Sequence, residues 1–240
     1  MPTSALLNVA TTSSAVALKD CSGIASGLFN NMRTPAALIG GAIVPLGLLS
    51  APAIREGDCK KERLLKKANL LLAVASLLSE ILAITYSTVA INKLAEINFP
   101  PTVGVSDLIA THFELAWIGT NVHFLLGMFG FGLLVGSKAY FTYGTKIGRI
   151  AGSWSIAAFL QCSSIVNRGI SMGHGDASAA EFHYATNLFT LCCRYIYLML
   201  KKTKRASLQI ASLGFFVYSM FLTGQIVVKT IKEMCVEKHD

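Results

Sequence analysis

The chain has 240 residues, of which 53% are apolar and 14% charged, with a formal net charge of +8 and a mean hydropathy of +0.55. Soluble domains run about 25% charged, so this composition excludes most water-soluble classes, and a chain so apolar does not stay solvated in a disordered form. What remains is an all-α protein, a polytopic transmembrane helix bundle with five or six spans.

The chain begins with a lead, residues 1–33, rich in Ser, Thr and Ala, in which Lys19 and Arg33 are the only bases and Asp20 the only acid. Two readings fit it: an organellar transit peptide, which is hydroxylated and acid-poor, or an amphipathic tail on the membrane surface. From Thr34 to Ile54 no charge interrupts the sequence, but Pro35, Pro45, Pro52, Gly40 and Gly41 do. A first span is expected there, kinked at Pro45, because membrane helices tolerate such breaks when neighbours supply hydrogen-bond partners. Its rival is a processed targeting segment, given the small residues around Pro52.

A bilayer core about 30 Å thick takes roughly 20 apolar residues at 1.5 Å rise. Five further stretches meet that length: Asn69 to Ile91, Leu115 to Ser137, Ile150 to Asn167, Ala179 to Leu200 and Ser207 to Val228. Between the second and third expected spans, Val105 to Ala110 suggests a short interfacial helix with Asp107 near its start. Gly148 and Gly152 suggest an irregular first turn in the fourth, and residues 229–240 form a polar tail. Trp117 and Trp154 sit near opposite boundaries, which agrees with antiparallel third and fourth spans.

The basic residues are distributed unevenly. With six spans, the loops on one side hold Arg55, Lys60, Lys61, Arg63, Lys66 and Lys67, then Lys138, Lys146 and Arg149, then Lys201, Lys202, Lys204 and Arg205. The opposite interior loops hold only Lys93 and Arg168, beside Glu96, Asp107, Glu114, Asp176 and Glu181. The positive-inside rule places the basic loops in the cytoplasm, matrix or stroma. Anionic headgroups then account for the basic balance, and no nucleic-acid partner is expected.

All five histidines, His112, His123, His174, His183 and His239, fall toward the acidic side. His123 and His183 lie inside spans entering from that side, with Gly127 and Gly130 following His123 at helical spacing. Such a smooth face suits a flat macrocycle, so His123, His183, Glu80, Gly127 and Gly130 are cofactor-binding candidates for haem or chlorophyll. Against this, Gly132 and Gly136 show that glycines in this span also serve close helix packing. Glu80 at mid-span and Arg194 in the fifth span are costly in lipid, and the expectation is that they pair, or that Arg194 reaches toward the basic side. Asn121, Gln161 and Gln225 are expected to bond between helices.

Cys21, Cys59, Cys162, Cys192, Cys193 and Cys235 lack metal or disulfide spacing, and the loop from Ser171 to Asp176 reads as a turn, so no metal site is expected. No phosphate loop, nucleophile elbow or zinc-protease motif is present, and no catalytic residue is assigned. Two functions follow. One is a non-enzymatic integral membrane subunit, assembly factor or scaffold of a larger complex, in a plastid or mitochondrial membrane, with other membrane subunits as partners. The other is a small proton-coupled transporter or channel using Glu80, His123 and Arg194.

Overall fold

The computed structural model describes residues 18–172, 187–203 and 207–236. Within them the protein is all-α: α1 (Ser22–Ile43), α2 (Lys60–Glu96), α3 (Val105–Leu108), α4 (Glu114–Met172), α5 (Leu188–Thr203) and α6 (Ser207–Val236). Three helical runs are long and apolar enough to cross a membrane, Ser22–Leu49, Lys60–Glu96 and Val105–Val166. Their composition and length make this a membrane protein. A shorter apolar helix, Ile210–Gln225, lies within α6.

The first run begins at Ser22 rather than Thr34, so the helix extends back into the expected tail. Pro35 is accommodated inside it. At Pro45, which lacks an amide hydrogen, the helix passes into a π-helical stretch, Val44–Leu49. Ser50 closes this stretch, its amide and hydroxyl both donating to the Pro45 carbonyl at 3.2 and 2.7 Å. Ala51 precedes Pro52, which disfavours helical backbone, and the helix stops.

The buried face of α2 carries Asn69, Ala73, Ser76, Glu80, Ala83, Ser87, Ala90 and Leu94, in alternating steps of four and three. That 3.5-residue period keeps one seam against its neighbours along the whole helix. Small residues on the seam let backbones approach closely, the main source of helix association in lipid. On one flank α1 runs antiparallel: Gly47 lies so near Ala73 that a Cβ there would stand 2.6 Å from the alanine Cβ, and Gly40 faces Glu80. On the other flank the first part of α4 runs antiparallel, with Ser87 beside Thr120, Gly127 beside Glu80, Gly130 beside Ser76 and Ser137 bonded to Asn69.

Val105 to Ala110 is helical, formed by α3 and the start of a π-helical turn, Ile109–Phe113, which lead without interruption into α4. Backbone hydrogen bonds between Lys19 and Thr102, at 2.9 and 3.0 Å, tie the start of the first run to this connection. Beneath them Phe29 packs edge-on against Phe113 and Trp117.

Gly144 reverses α4 on itself. Its φ of 84° and ψ near 180° belong to a backbone region that only glycine occupies readily. The rings of Phe129 and Phe159 lie 4.2 Å apart, whereas 30 residues of straight helix would separate them by about 45 Å. The arms therefore form an antiparallel hairpin, with Gly132 facing Ser155 and Gly136 against the Gly152 backbone. The irregularity expected near Gly148 and Gly152 is thus located at Gly144, and Gly148 packs on Tyr140. The expectation that Gly132 and Gly136 serve packing holds.

α5 lies along the first arm of α4, where Leu191 and Leu198 join Leu115, Ile118 and Val122. The expected span from Ala179 begins outside the described residues. Lys138 donates to the Ser50 carbonyl at 2.9 Å, so the α1–α2 connection and the Gly144 reversal share one end of the bundle. That end holds nine of the basic residues named above, from Arg55 to Arg149. The other end holds Lys19 and Lys93 with Asp20, Glu96, Asp107 and Glu114.

Candidate functional site

Glu80 is fully buried where α1, α2 and α4 meet. It stands near the middle of the apolar stretch 69–91, about 17 Å of helix from either end. Its carboxyl group occupies the space that a side chain at position 127 would fill: a Cβ on Gly127 would collide with Oε1 and stand 2.5 Å from the carboxyl carbon. Gly130 in the same way makes room for Ser76, and Gly119 for the ring of Tyr86. Three glycines of α4 thus seat three side chains of α2. The face on which a macrocycle was expected to lie is filled by Glu80 and Ser76, so Gly127 and Gly130 act in helix packing.

Both carboxyl oxygens of Glu80 lack a hydrogen-bond partner among the described residues. The expected Glu80–Arg194 pair does not form. Arg194 instead closes on Glu114 at the acidic end, with Nη2–Oε1 and Nε–Oε1 distances of 2.7 and 2.8 Å. The reason is helix direction: α5 runs parallel to the first arm of α4, which sets Arg194 beside the start of that arm. The alternative expectation, that Arg194 reaches the basic side, fails for the same reason.

His123 lies one helical turn before Gly127. Its Nε2 is 2.7 Å from the Tyr195 hydroxyl, and its ring stacks on Tyr86 with centroids 6.1 Å apart and planes 18° from parallel. The Tyr86 and Tyr195 hydroxyls are 3.4 Å apart, and Tyr86 also reaches the Met199 sulfur at 3.4 Å. His123 Nδ1 is buried without a partner among the described residues. His174, His183 and His239 lie outside the described residues, as do Asp176 and Glu181. Among the described residues no group of three or more His, Cys, Asp or Glu is arranged to hold a metal ion.

These groups form a polar column inside an apolar bundle. From the basic end it runs through Ser137 bonded to Asn69, Ser76, Glu80, the His123–Tyr195–Tyr86 group, and Ser87 with Thr120 at 3.3 Å, to Glu114 with Arg194. Asn121 takes no part, because its amide donates to the Trp117 carbonyl of its own helix at 2.8 Å, and Gln161 and Gln225 are exposed. The expected interhelical bonds of these three residues are therefore not made among the described residues.

The sequence reading missed Tyr86 and Tyr195. Tyr86 is signalled only by Gly119, and Tyr195 only by its adjacency to Arg194. No family model, curated protein or solved structure matches the chain.

Proposed function

We propose that the chain is a multi-pass integral membrane protein of six spans that moves protons, alone or coupled to a solute, along the column centred on Glu80. The observation that carries this reading is a fully buried carboxyl group with no partner for either oxygen among the described residues, in line with polar groups toward both ends. A carboxylate in lipid without a counter-charge is too costly to persist ionised, so such a group holds a proton and releases it only when its surroundings change. His123 is the next titratable group toward the acidic end, and the Arg194–Glu114 pair forms the mouth there. A plastid or mitochondrial membrane, which maintains a proton gradient, is the proposed setting.

The test is proton flux into vesicles reconstituted with purified protein. Glu80→Gln is expected to abolish flux while the melting transition stays within a few degrees of wild type. An inactive wild-type protein, or undiminished flux in the variant, removes the reading.

A second reading, a non-enzymatic subunit or scaffold of a larger membrane complex, is favoured by α6. There Phe215, Phe216, Val217 and Tyr218 are consecutive and all exposed, so within the described residues apolar surface faces every direction around the helix. Lipid or other membrane subunits cover it. Native mass measurement in mild detergent separates the readings. A visible spectrum of the same sample decides whether haem or chlorophyll accompanies the complex.

A further inference from the structure

We infer that His123 and Glu80 share a site for bound water, through which a proton passes between them; this rests on the proton-moving reading and names the second partner in it. Buried polar atoms in folded proteins are nearly always paired, and an exception calls for an explanation, of which an ordered water is one. Among the buried atoms without a partner in the described residues are Glu80 Oε1, Glu80 Oε2 and His123 Nδ1.

They belong to one region of the α2–α4 interface. Glu80 Oε1 sits where the side chain of residue 127 would begin. His123 is four residues earlier on the same helix face, which puts the Cβ positions of 123 and 127 about 5–6 Å apart. No direct hydrogen bond joins the two groups among the described residues. A buried water needs two to four polar partners, and these three atoms supply them.

The other imidazole nitrogen is committed: Nε2 bonds to the Tyr195 hydroxyl at 2.7 Å, and the ring is held flat on Tyr86. Nδ1 is therefore the atom free to exchange a proton. In the transfer, the O–H bond of Glu80 breaks and its proton joins the water, which releases one of its own to Nδ1. Glu80 becomes a carboxylate and His123 an imidazolium, whose Nε2–H donates to the Tyr195 oxygen. No atom is gained or lost, and the reverse step restores both neutral groups.

The test is infrared spectroscopy of the full chain in lipid. The carbonyl stretch of protonated Glu80 is assigned as the band lost in Glu80→Gln. Its frequency reports hydrogen bonding to the carboxyl group. In His123→Asn the amide can take the place of Nδ1, and the band is expected to stay near its wild-type frequency. In His123→Gln the amide reaches the place of Nε2 instead, and the band is expected to shift, as it is in His123→Phe. An unchanged frequency in all three variants overturns the proposal. Wild-type protein provides an independent arm: transfer to deuterated buffer should move the band as the shared proton exchanges, and a band that never moves also overturns it. A Glu80→Gln variant that keeps full proton flux while the histidine variants shift the band would remove the proton-moving function and leave the water site standing.

Discussion

Gly127 on α4 leaves vacant the volume that the carboxyl group of Glu80 on α2 fills. Any side chain at 127 must displace either that carboxyl group or the helix that carries it. Gly127→Ala is therefore expected to destabilise the bundle by about 1–3 kcal/mol, the usual range for forcing a methyl group into a packed interface. Adding Glu80→Ala should restore part of the loss, because it removes the obstructing group. Thermal melting of the two single variants and the double variant measures the coupling, expected at about 0.5–3 kcal/mol for residues in contact. Simple additivity would contradict the described contact.

Gly144→Ala should weaken the reversal of α4 by roughly 1–3 kcal/mol, since its backbone conformation suits almost no other residue. Nothing lies within 4 Å of a Cβ added there, so the cost comes from the backbone alone. Hydrogen exchange of the segments flanking 144, compared with Gly57→Ala in the exposed α1–α2 connection, gives the measurement. Equal protection in both variants counts against the hairpin.

Arg194 and Glu114 are partly screened, with side-chain exposures of 28% and 19%. Their pair thus falls between exposed pairs, worth less than about 1 kcal/mol, and buried ones, whose disruption costs about 3–5 kcal/mol. Glu114→Gln is expected to loosen α5 by roughly 1–2 kcal/mol, between those limits. Protease susceptibility of residues 187–203 should rise. Glu114→Asp, which keeps the charge on a shorter stem, should fall between wild type and the glutamine variant.

The α1–α2 connection carries a pH dependence outside the lipid. Asp58 accepts hydrogen bonds from Lys66 Nζ at 2.6 Å and from the Arg55 amide at 2.7 Å. Lys66 first, then the Arg55 amide, holds its carboxyl below the ordinary value of 3.8. A depressed folded value means that the contribution is complete above the unfolded value and disappears as pH falls through the folded one. Order in residues 51–59 is therefore expected to be constant from neutral pH to about pH 5 and to decline below about pH 4. Asp58→Asn should remove that decline and leave the connection loose at every pH, as read by limited proteolysis with an acid-active protease.

Lys61→Cys and Lys146→Cys should react with an impermeant maleimide from the same side of sealed vesicles, and Asp107→Cys from the other. The Lys138–Ser50 contact holds the first two segments at one end of the bundle. Labelling of 61 and 146 from opposite sides would refute the shared end.

The apolar stretches and the grouping of bases were legible because lipid imposes length and charge rules on the chain whatever its tertiary contacts. The alternating steps of four and three from Asn69 to Leu94 were also present in the sequence, and they mark the seam on which Glu80 lies. Partners were not legible. Depth along each span pairs Arg194 with Glu80, but a salt bridge depends on which helices adjoin, and α5 adjoins the start of α4. The glycines at 127 and 130 offered a flat face to a reader of one helix, while the side chains that fill it come from another. The helical start at Ser22 was obscured because Asn30, Asn31 and Arg33 interrupt the apolar pattern there.

The reversal at Gly144 takes up a single residue, so the arms of α4 have no slack between them. The two arms are therefore expected to enter lipid together rather than one after the other. A tag spliced at 144 would break this simultaneity and the register of Gly136 on Gly152, which makes the chain's tightest corner its poorest place for a reporter.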